Sequence, residues 1–366
     1  MESTIKEMCR LFRIPGNFRG YVEIKSGNVN TTYRVFYTKE DGGEKSYILQ
    51  KLNTYAFKKP EELMENVDLV TEYIHQKYPT KKTLHFHHTL SEGNTKRKNF
   101  VFADDGTFWR LFNYIDSITY DFTDDLKIVR SAGKAFGEFQ MSLADFDAAS
   151  LHYTIPDFHN TVKRYETLEN DIKADKAGRA SSVKSEIEWL MSVRDKACLL
   201  STMLENGELP LRVTHNDTKI NNVLFDKETH EAISVIDLDT VMPGLVGHDF
   251  GDAIRFAANK CEEDCKDASK AGINMDVFKS FSEGFLSETA HVLTKNEIDT
   301  LALSPFVLAC ELATRFLDDY LNGDQYFRVL YPEHNIVRTR CQIALAKDML
   351  SHIDEMNGII QSLTSK

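Results

Sequence analysis

The sequence predicts an α+β chain in two lobes, a small β-rich lobe over residues 1–115 and a larger, mainly helical lobe over 116–366. Three observations carry this expectation. Residues 21–52 contain three runs rich in strand formers, separated by polar and Gly-containing turns, the pattern of a strand meander. Beyond residue 120, apolar residues recur at helical spacing, as in Ile128, Ala132, Phe136, Phe139 and Leu143. Between the helical stretches, Arg212–Asp239 reads as strand, polar loop, strand, turn and strand. A chain of 366 residues buries a large core and is too long for one small domain.

Taken in order, Met1–Phe12 reads as a short helix closed by Pro15-Gly16. Tyr21–Lys25 and Thr32–Tyr37 are strands joined by the turn Ser26–Thr31, and Ser46–Leu52 is a third strand. Backbone N–H groups of a polar turn suit a nucleotide's phosphates. Asn28, Asn30, Thr31 and Thr32 are therefore candidate nucleotide contacts, although the turn holds one Gly, not the three of a Gly-rich phosphate loop. In the third strand, Tyr47, Leu49 and Lys51 share a face, from which Lys51 could reach the phosphates; a surface Lys is the plain alternative. Pro60 and the acids after it open a helix, with Leu63, Val67, Val70 and Ile74 as its apolar stripe. His85 and His87 read as a strand edge. Phe108–Ile115 reads as a further strand running into the joint between the lobes. Phe112–Ile115, with Tyr114 and Ile115, is the candidate edge for a nucleobase.

In the second lobe, Asn160–Asn206 reads as charged helices closed by Gly207, and Val337–Gln361 as a terminal helix. Lys295–Leu321 is also mostly helical, with Arg315 and Tyr326 near the break at Asn322-Gly323-Asp324. A salt bridge and a packed ring are the bland reading of those two residues; a hold on a sugar or a carboxylate is the functional one.

The chemistry concentrates in Arg212–Asp239. His215-x-Asp217 is followed by Asn222, and the next hairpin closes on Asp237-Leu238-Asp239. Such a hairpin returns Asp237 beside the Asp217–Asn222 loop, gathering hard oxygen ligands that suit Mg²⁺. Phosphoryl transfer from ATP needs a carboxylate to take the proton of the attacking hydroxyl, with an Asn and an Asp on metal. Asp217 is the candidate base, Asn222 and Asp237 the metal ligands, and Asp239, on the same strand face, a possible further one. An ordinary polar loop is the competing reading; the Asn at the right offset and the closing Asp-x-Asp weigh against it. Asp249-Phe250-Gly251 spells a kinase metal tripeptide but does not end this hairpin. Asp249 is expected to cap the backbone of the Asp217 loop. Thr240–Gly244, chained to Asp237, is expected to line the acceptor pocket.

Composition narrows the partners. The acids outnumber Lys and Arg by 56 to 44, a net charge of −12 with no basic block, which argues against nucleic acid and anionic membrane. No apolar stretch approaches the roughly 20 residues of a membrane span. Six scattered Cys and an N-terminus without a signal-like apolar run lead us to expect a reducing cytoplasm; a monomer is the working expectation, although oligomeric state is not legible in the sequence.

These motifs carry a family resemblance. His215–Asn222, Ile236–Gly244, Asp249–Asp252 with Ile254-Arg255-Phe256, Arg315–Tyr326 and Tyr331–Asn335 resemble the aminoglycoside/choline-kinase-like phosphotransferases. Asn30–Tyr33 and Tyr47–Gln50 extend the resemblance into the first lobe, and it is closest to members acting on N-acetylhexosamines. It implies a two-lobed protein-kinase-like fold. It implies ATP- and Mg²⁺-dependent phosphorylation of the anomeric hydroxyl of N-acetylglucosamine or N-acetylgalactosamine, in hexosamine salvage. It places Asp217 as base, Asn222 and Asp237 on metal, and Thr240, Met242, Arg315 and Tyr326 in the sugar pocket. Lys51 stands where the family pattern has Gln. Two other readings stay open: a small-molecule kinase with another acceptor (another sugar, choline or an aminoglycoside), and a nucleotide-binding protein without catalysis.

Overall fold

The computed structural model describes residues 2–12, 14–25, 29–89 and 98–365. The chain divides into two compact units. The first comprises Met1–Ile118, Ser150–Ile155 and Ile236–Met242; the second comprises Thr119–Ala149, Pro156–Val235 and Pro243–Lys366. The division is thus not a single cut after residue 115. Two short returning segments belong to the first unit, and side chains explain why. Asn66 donates to the carbonyls of His152 (2.8 Å) and Val241 (3.0 Å), tying both segments to one helix.

The first unit is built on a five-stranded antiparallel sheet in the order β1-β2-β3-β5-β4. Its strands are β1 (Asn17–Ile24), β2 (Thr31–Thr38), β3 (Glu44–Leu52), β4 (Phe100–Phe102) and β5 (Phe108–Asn113). Alternation gives the sheet two faces. On one, Tyr33, Val35, Tyr37, Tyr47, Leu49, Trp109 and Leu111 form a core with Ile5, Met8, Cys9 and Phe12 of the N-terminal segment that includes α1 (Glu2–Leu11). From the other, Arg110 reaches Met64 of α2 (Pro60–Lys77). The predicted α2 stripe is buried: Leu63, Val67, Val70 and Ile74 are at most 4% exposed. His87 packs edge-on to Tyr47, and burial pushes its pKa down to about 4, so this half-buried ring is neutral.

The second unit is mainly helical. It contains α3 (Leu126–Ser142), α4 (Thr161–Ala174), α5 (Lys184–Ser192), α6 (Arg194–Ala197) and α7 (Leu199–Glu205). After the short strands β6 (Arg212–Thr214), β7 (Val223–Phe225), β8 (Ala232–Val235) and β9 (Met242–Gly244) come α8 (Val246–Ala257) and α9 (Met275–Thr289). The chain ends in α10 (Lys295–Leu301), α11 (Ser304–Leu321), α12 (His334–Ser351) and α13 (Ile353–Thr364). The expected helices at 295–321 and 337–361 are each broken in two, the last at His352. The core helices α3 and α9 cross so closely that a Cβ on Gly133 would lie 2.3 Å from the Phe281 carbonyl oxygen, and one on Gly284 2.0 Å from that of Arg130. Phe136, Phe250, Phe278, Phe281 and Phe285 cluster at this crossing. All six cysteines are free. No single helix among the described residues is long and apolar enough to cross a membrane.

Candidate functional site

In the second unit, β6, a loop, and the β7–β8 hairpin hold the predicted catalytic stretch. Val223 pairs with Val235, as the apolar runs require. His215 is fully buried, edge-on to Phe136 and Phe139 of α3. Asn216 takes a left-handed backbone (φ 64°), a conformation Asn tolerates better than most residues. This turn presents Asp217 at the loop's tip. Asn222 donates from Nδ2 to the Asp217 carbonyl (2.8 Å) and carboxylate (3.2 Å). Lys219 Nζ lies 2.9 Å from Asp217 Oδ1, and the Asp217 charge pulls the Lys219 pKa up against its burial. Pro243-Gly244 passes this loop closely: a Cβ on Gly244 would lie 2.2 Å from Thr214 Oγ1.

Asp249 caps the loop, as the sequence led us to expect. It lies in α8 and accepts from the amides of His215 (2.9 Å) and Asn216 (2.7 Å), while Gln140 of α3 donates to it at 2.6 Å. Burial pushes the Asp249 carboxyl up; its contacts with His215, Asn216 and Gln140 offset that in part. Asp252, one turn on, accepts from the Thr218 amide at 3.1 Å and pairs with Arg255 at 2.8 Å. Burial raises its pKa, and Arg255 and Lys219 outweigh that and hold it below the usual carboxylate range. The Asp249–Asp252 motif is thus a brace for the Asp217 loop.

In the first unit, Asp237 begins the returning segment. It is not on a strand: β8 ends at Val235, Asp237 is left-handed (φ 60°), and Leu238–Thr240 form one 3₁₀ turn. The expected shared strand face of Asp237 and Asp239 therefore does not exist. Asp239 is 3% exposed, and its carboxylate is engaged by Arg110 at 2.5 Å and by Asn30 Nδ2 at 2.8 Å. It reads as a tether for the Asp237 turn and not as a further metal ligand. Met242 is buried, and its Sδ accepts the Ile155 amide at 3.3 Å; Thr240 is half-buried.

The sheet divides the nucleotide-side candidates between its two faces. Lys51 pairs with Trp109 and Thr31, which puts Lys51 and Thr31 on the face packed against α1. Gln50 pairs with Arg110 and Thr32 on the opposite face, the one that carries Asp239. There Arg110 donates from Nε (2.9 Å) and Nη2 (2.6 Å) to Gln50, which donates to Thr32 at 3.0 Å. Arg110 was not anticipated from the sequence. Its signal was a lone charge inside the apolar run Phe108–Phe112. One row along the same face, Arg34 stacks 3.8 Å over the Tyr114 ring and donates to its hydroxyl at 3.1 Å. Ile115 follows Tyr114, beyond the end of β5, and its carbonyl accepts from Ser117. Asn28 lies outside the described residues.

The remaining acceptor candidates lie in the second unit. Arg315, on α11, sits over Phe158 (5.9 Å) and Phe327 (5.4 Å), and Tyr326, 75% exposed, meets Phe327 edge-on at 4.8 Å. Arg164 of α4 is near: burial and then the Arg315 charge lower its pKa. Asp318, one turn beyond Arg315, is pushed up to about 8 by burial and by Asp171, so it is protonated at neutral pH.

A family profile described as a phosphotransferase enzyme family matches residues 20–270. Solved structures of similar fold span nearly the whole chain. They include an amicoumacin kinase in complex with AMP-PNP and Ca²⁺ (13% identity, 94% of this chain and 93% of that one, TM-score 0.60). A microcompartment-associated aminopropanol kinase matches at 14% identity over 96% and 98%, with TM-score 0.61. A choline kinase from Cryptosporidium parvum matches at 15% over 99% and 98%, with TM-score 0.58.

Proposed function

Because the chain belongs to this phosphotransferase family, whose two-lobed α+β kinase-like fold it shares, we propose that it moves the γ-phosphoryl group of ATP to the anomeric hydroxyl of N-acetylglucosamine or N-acetylgalactosamine, as an N-acetylhexosamine 1-kinase. The observation that carries the reading is the braced loop at Asp217. Its carboxylate has Asn222 on one oxygen and Lys219 on the other, on a backbone fixed by Asp249. Asp217 accepts the proton of the attacking hydroxyl. An anomeric hydroxyl is more acidic than an ordinary alcohol, so a carboxylate is base enough when positioning supplies most of the rate.

Asn222, in the second unit, and Asp237, in the first, would each offer a hard oxygen to a divalent cation. Amide and carboxylate oxygens are hard donors that fit Mg²⁺, and Asn222 bonds Asp217 through its Nδ2. When bound, the cation supplies neutralising charge at the β- and γ-phosphates. The Thr32–Gln50–Arg110 face and the Arg34–Tyr114 stack offer polar and aromatic surface to the nucleotide.

The acceptor class rests on charge. Arg164 and Arg315 are both cations. Glu311, beside them, is paired with His159, and Asp318 is protonated at neutral pH. A choline, amino-alcohol or aminoglycoside acceptor brings its own positive charge, and this cluster repels it. Rings of Phe158, Phe327 and Tyr326 with a guanidinium suit the apolar face and hydroxyl edge of a neutral sugar.

The test is a panel of free sugars, choline and ethanolamine with ATP and Mg²⁺, products being followed by mass and phosphorus NMR. A 1-phosphate of an N-acetylhexosamine is the expected product. Phosphocholine or phosphoethanolamine in its place would overturn the charge argument; bound ATP with no transfer to any acceptor would favour a non-catalytic nucleotide binder.

A further inference from the structure

The Asp217 loop is gripped a second time, through a carbonyl. His159 Nε2 lies 3.2 Å from the Asn216 carbonyl oxygen, and its Nδ1 lies 3.1 Å from each carboxylate oxygen of Glu311. Both side chains are buried, at 8% and 1% exposed. A carbonyl oxygen can only accept, so Nε2 carries a proton. An ionised carboxylate also only accepts, so Nδ1 carries the other, and the ring is an imidazolium.

The carbonyl it grips matters. The Asn216 C=O and the Asp217 N–H belong to one planar peptide unit. Rotation of that unit would turn the left-handed Asn216 and swing the Asp217 side chain. Asp249 holds the amide entering this unit's residue, and His159 holds the carbonyl leaving it. We propose that the buried His159–Glu311 pair is a positioning device for Asp217, gripping the Asn216 carbonyl through an imidazolium and so aiming the carboxylate. The proposal rests on Asp217 being the base.

The groups facing His159 support the charged ring. Burial alone pushes its pKa down, but Glu311 on α11, Asp252 on α8 and the Asn216 carbonyl together raise it above the ordinary value. Its other neighbours are Phe158 and His248 of α8, with rings at 4.5 Å and 4.8 Å. Burial and the His159 charge push His248 down to about 3, so only one of the two rings is charged. Burial raises Glu311, while His159, and then Arg315 and Arg164, hold it below the usual range. With its pKa raised in the fold, the imidazolium is complete at neutral pH and below, and the grip is lost as pH rises through that raised value.

The experiment compares wild type with His159→Gln and Glu311→Gln by ring-nitrogen NMR and by kinetics across pH. In the wild type, the His159 ring should keep both protons well above pH 7; in Glu311→Gln it should lose one at lower pH. A His159 ring neutral at pH 7 overturns the proposal whatever the acceptor. Turnover, measured as sugar phosphorylation and as ATP hydrolysis without sugar, should fall about 10- to 100-fold in either variant. The KM for ATP should stay within about twofold, and the alkaline limb of the wild-type profile should vanish in His159→Gln. A folded variant with wild-type turnover and pH profile overturns the proposal. If His159→Gln does not fold, Glu311→Gln and the wild-type ring carry the test. Loss of sugar transfer with ATP hydrolysis intact would count against the acceptor reading alone.

Discussion

Lys51 and Gln50 differ by one position, and that step decides which face of the sheet each side chain meets. Lys51 belongs to the α1 face, so Lys51→Ala is expected to change the KM for ATP by no more than about twofold, within the range of surface substitutions; steady-state kinetics against ATP check this. Asp217→Asn keeps the size and the Asn222 contact but removes the proposed base. Turnover should fall by at least about two orders of magnitude, with ATP affinity unchanged by calorimetry. Near-wild-type turnover would remove Asp217 from the chemistry. Asp249→Ala leaves the buried His215 and Asn216 amides without their acceptor. A loss of about 3 kcal/mol or more is expected from denaturant unfolding, far beyond what its resemblance to a metal tripeptide would suggest.

At the scale of elements, the decisive contact is between β5 and the 3₁₀ turn after Asp237. Arg110 and Asp239 are each 3% exposed and joined at 2.5 Å. Removing one partner strands a buried charge, so Arg110→Met is expected to cost about 3–5 kcal/mol. Arg110→Met with Asp239→Asn should cost less than the single change, as a double-mutant cycle would read. Helices were the most legible elements, because their stripes are local: Leu63–Ile74 and Ile128–Leu143 lie buried where the spacing put them. The contact between Asp217 and Asn222 was legible from their offset, and the cap on their loop from Asp249. What each strand face meets was less legible: Tyr47, Leu49 and Lys51 share a face, as alternation requires, but only the fold shows that this face packs against α1. Arg110–Asp239 and His159–Glu311 lie 129 and 152 residues apart. No local pattern connects such pairs; only the fold brings them together.

For the whole molecule, pH is the sensitive variable. In the fold, the Asp318 pKa rises from its ordinary 3.8 to about 8, with burial the largest cause. The native state then binds the proton that the unfolded chain has already lost. Stability should therefore decline from about pH 4 to pH 8 through this group, and the decline is complete above its folded pKa. Asp318→Asn should flatten that slope and raise the melting temperature at pH 8 relative to wild type; an unchanged slope in thermal unfolding would show that the group is not buried protonated. His159 acts in the same direction, its contribution also being lost at alkaline pH.

The two returning segments have a consequence for how the chain is made. The sheet unit takes in 150–155 and 236–242 as well as the first 118 residues. A ribosome that has released only the first 118 has delivered Arg110 without Asp239, and Asn66 without either of its carbonyls. That nascent sheet lacks the counter-charge of Arg110 and the acceptors of Asn66, so a fragment ending at Ile118 should stay loosely packed. Maturation of the N-terminal sheet must wait for translation past residue 242. The order of synthesis and the order of folding are therefore not the same in this chain.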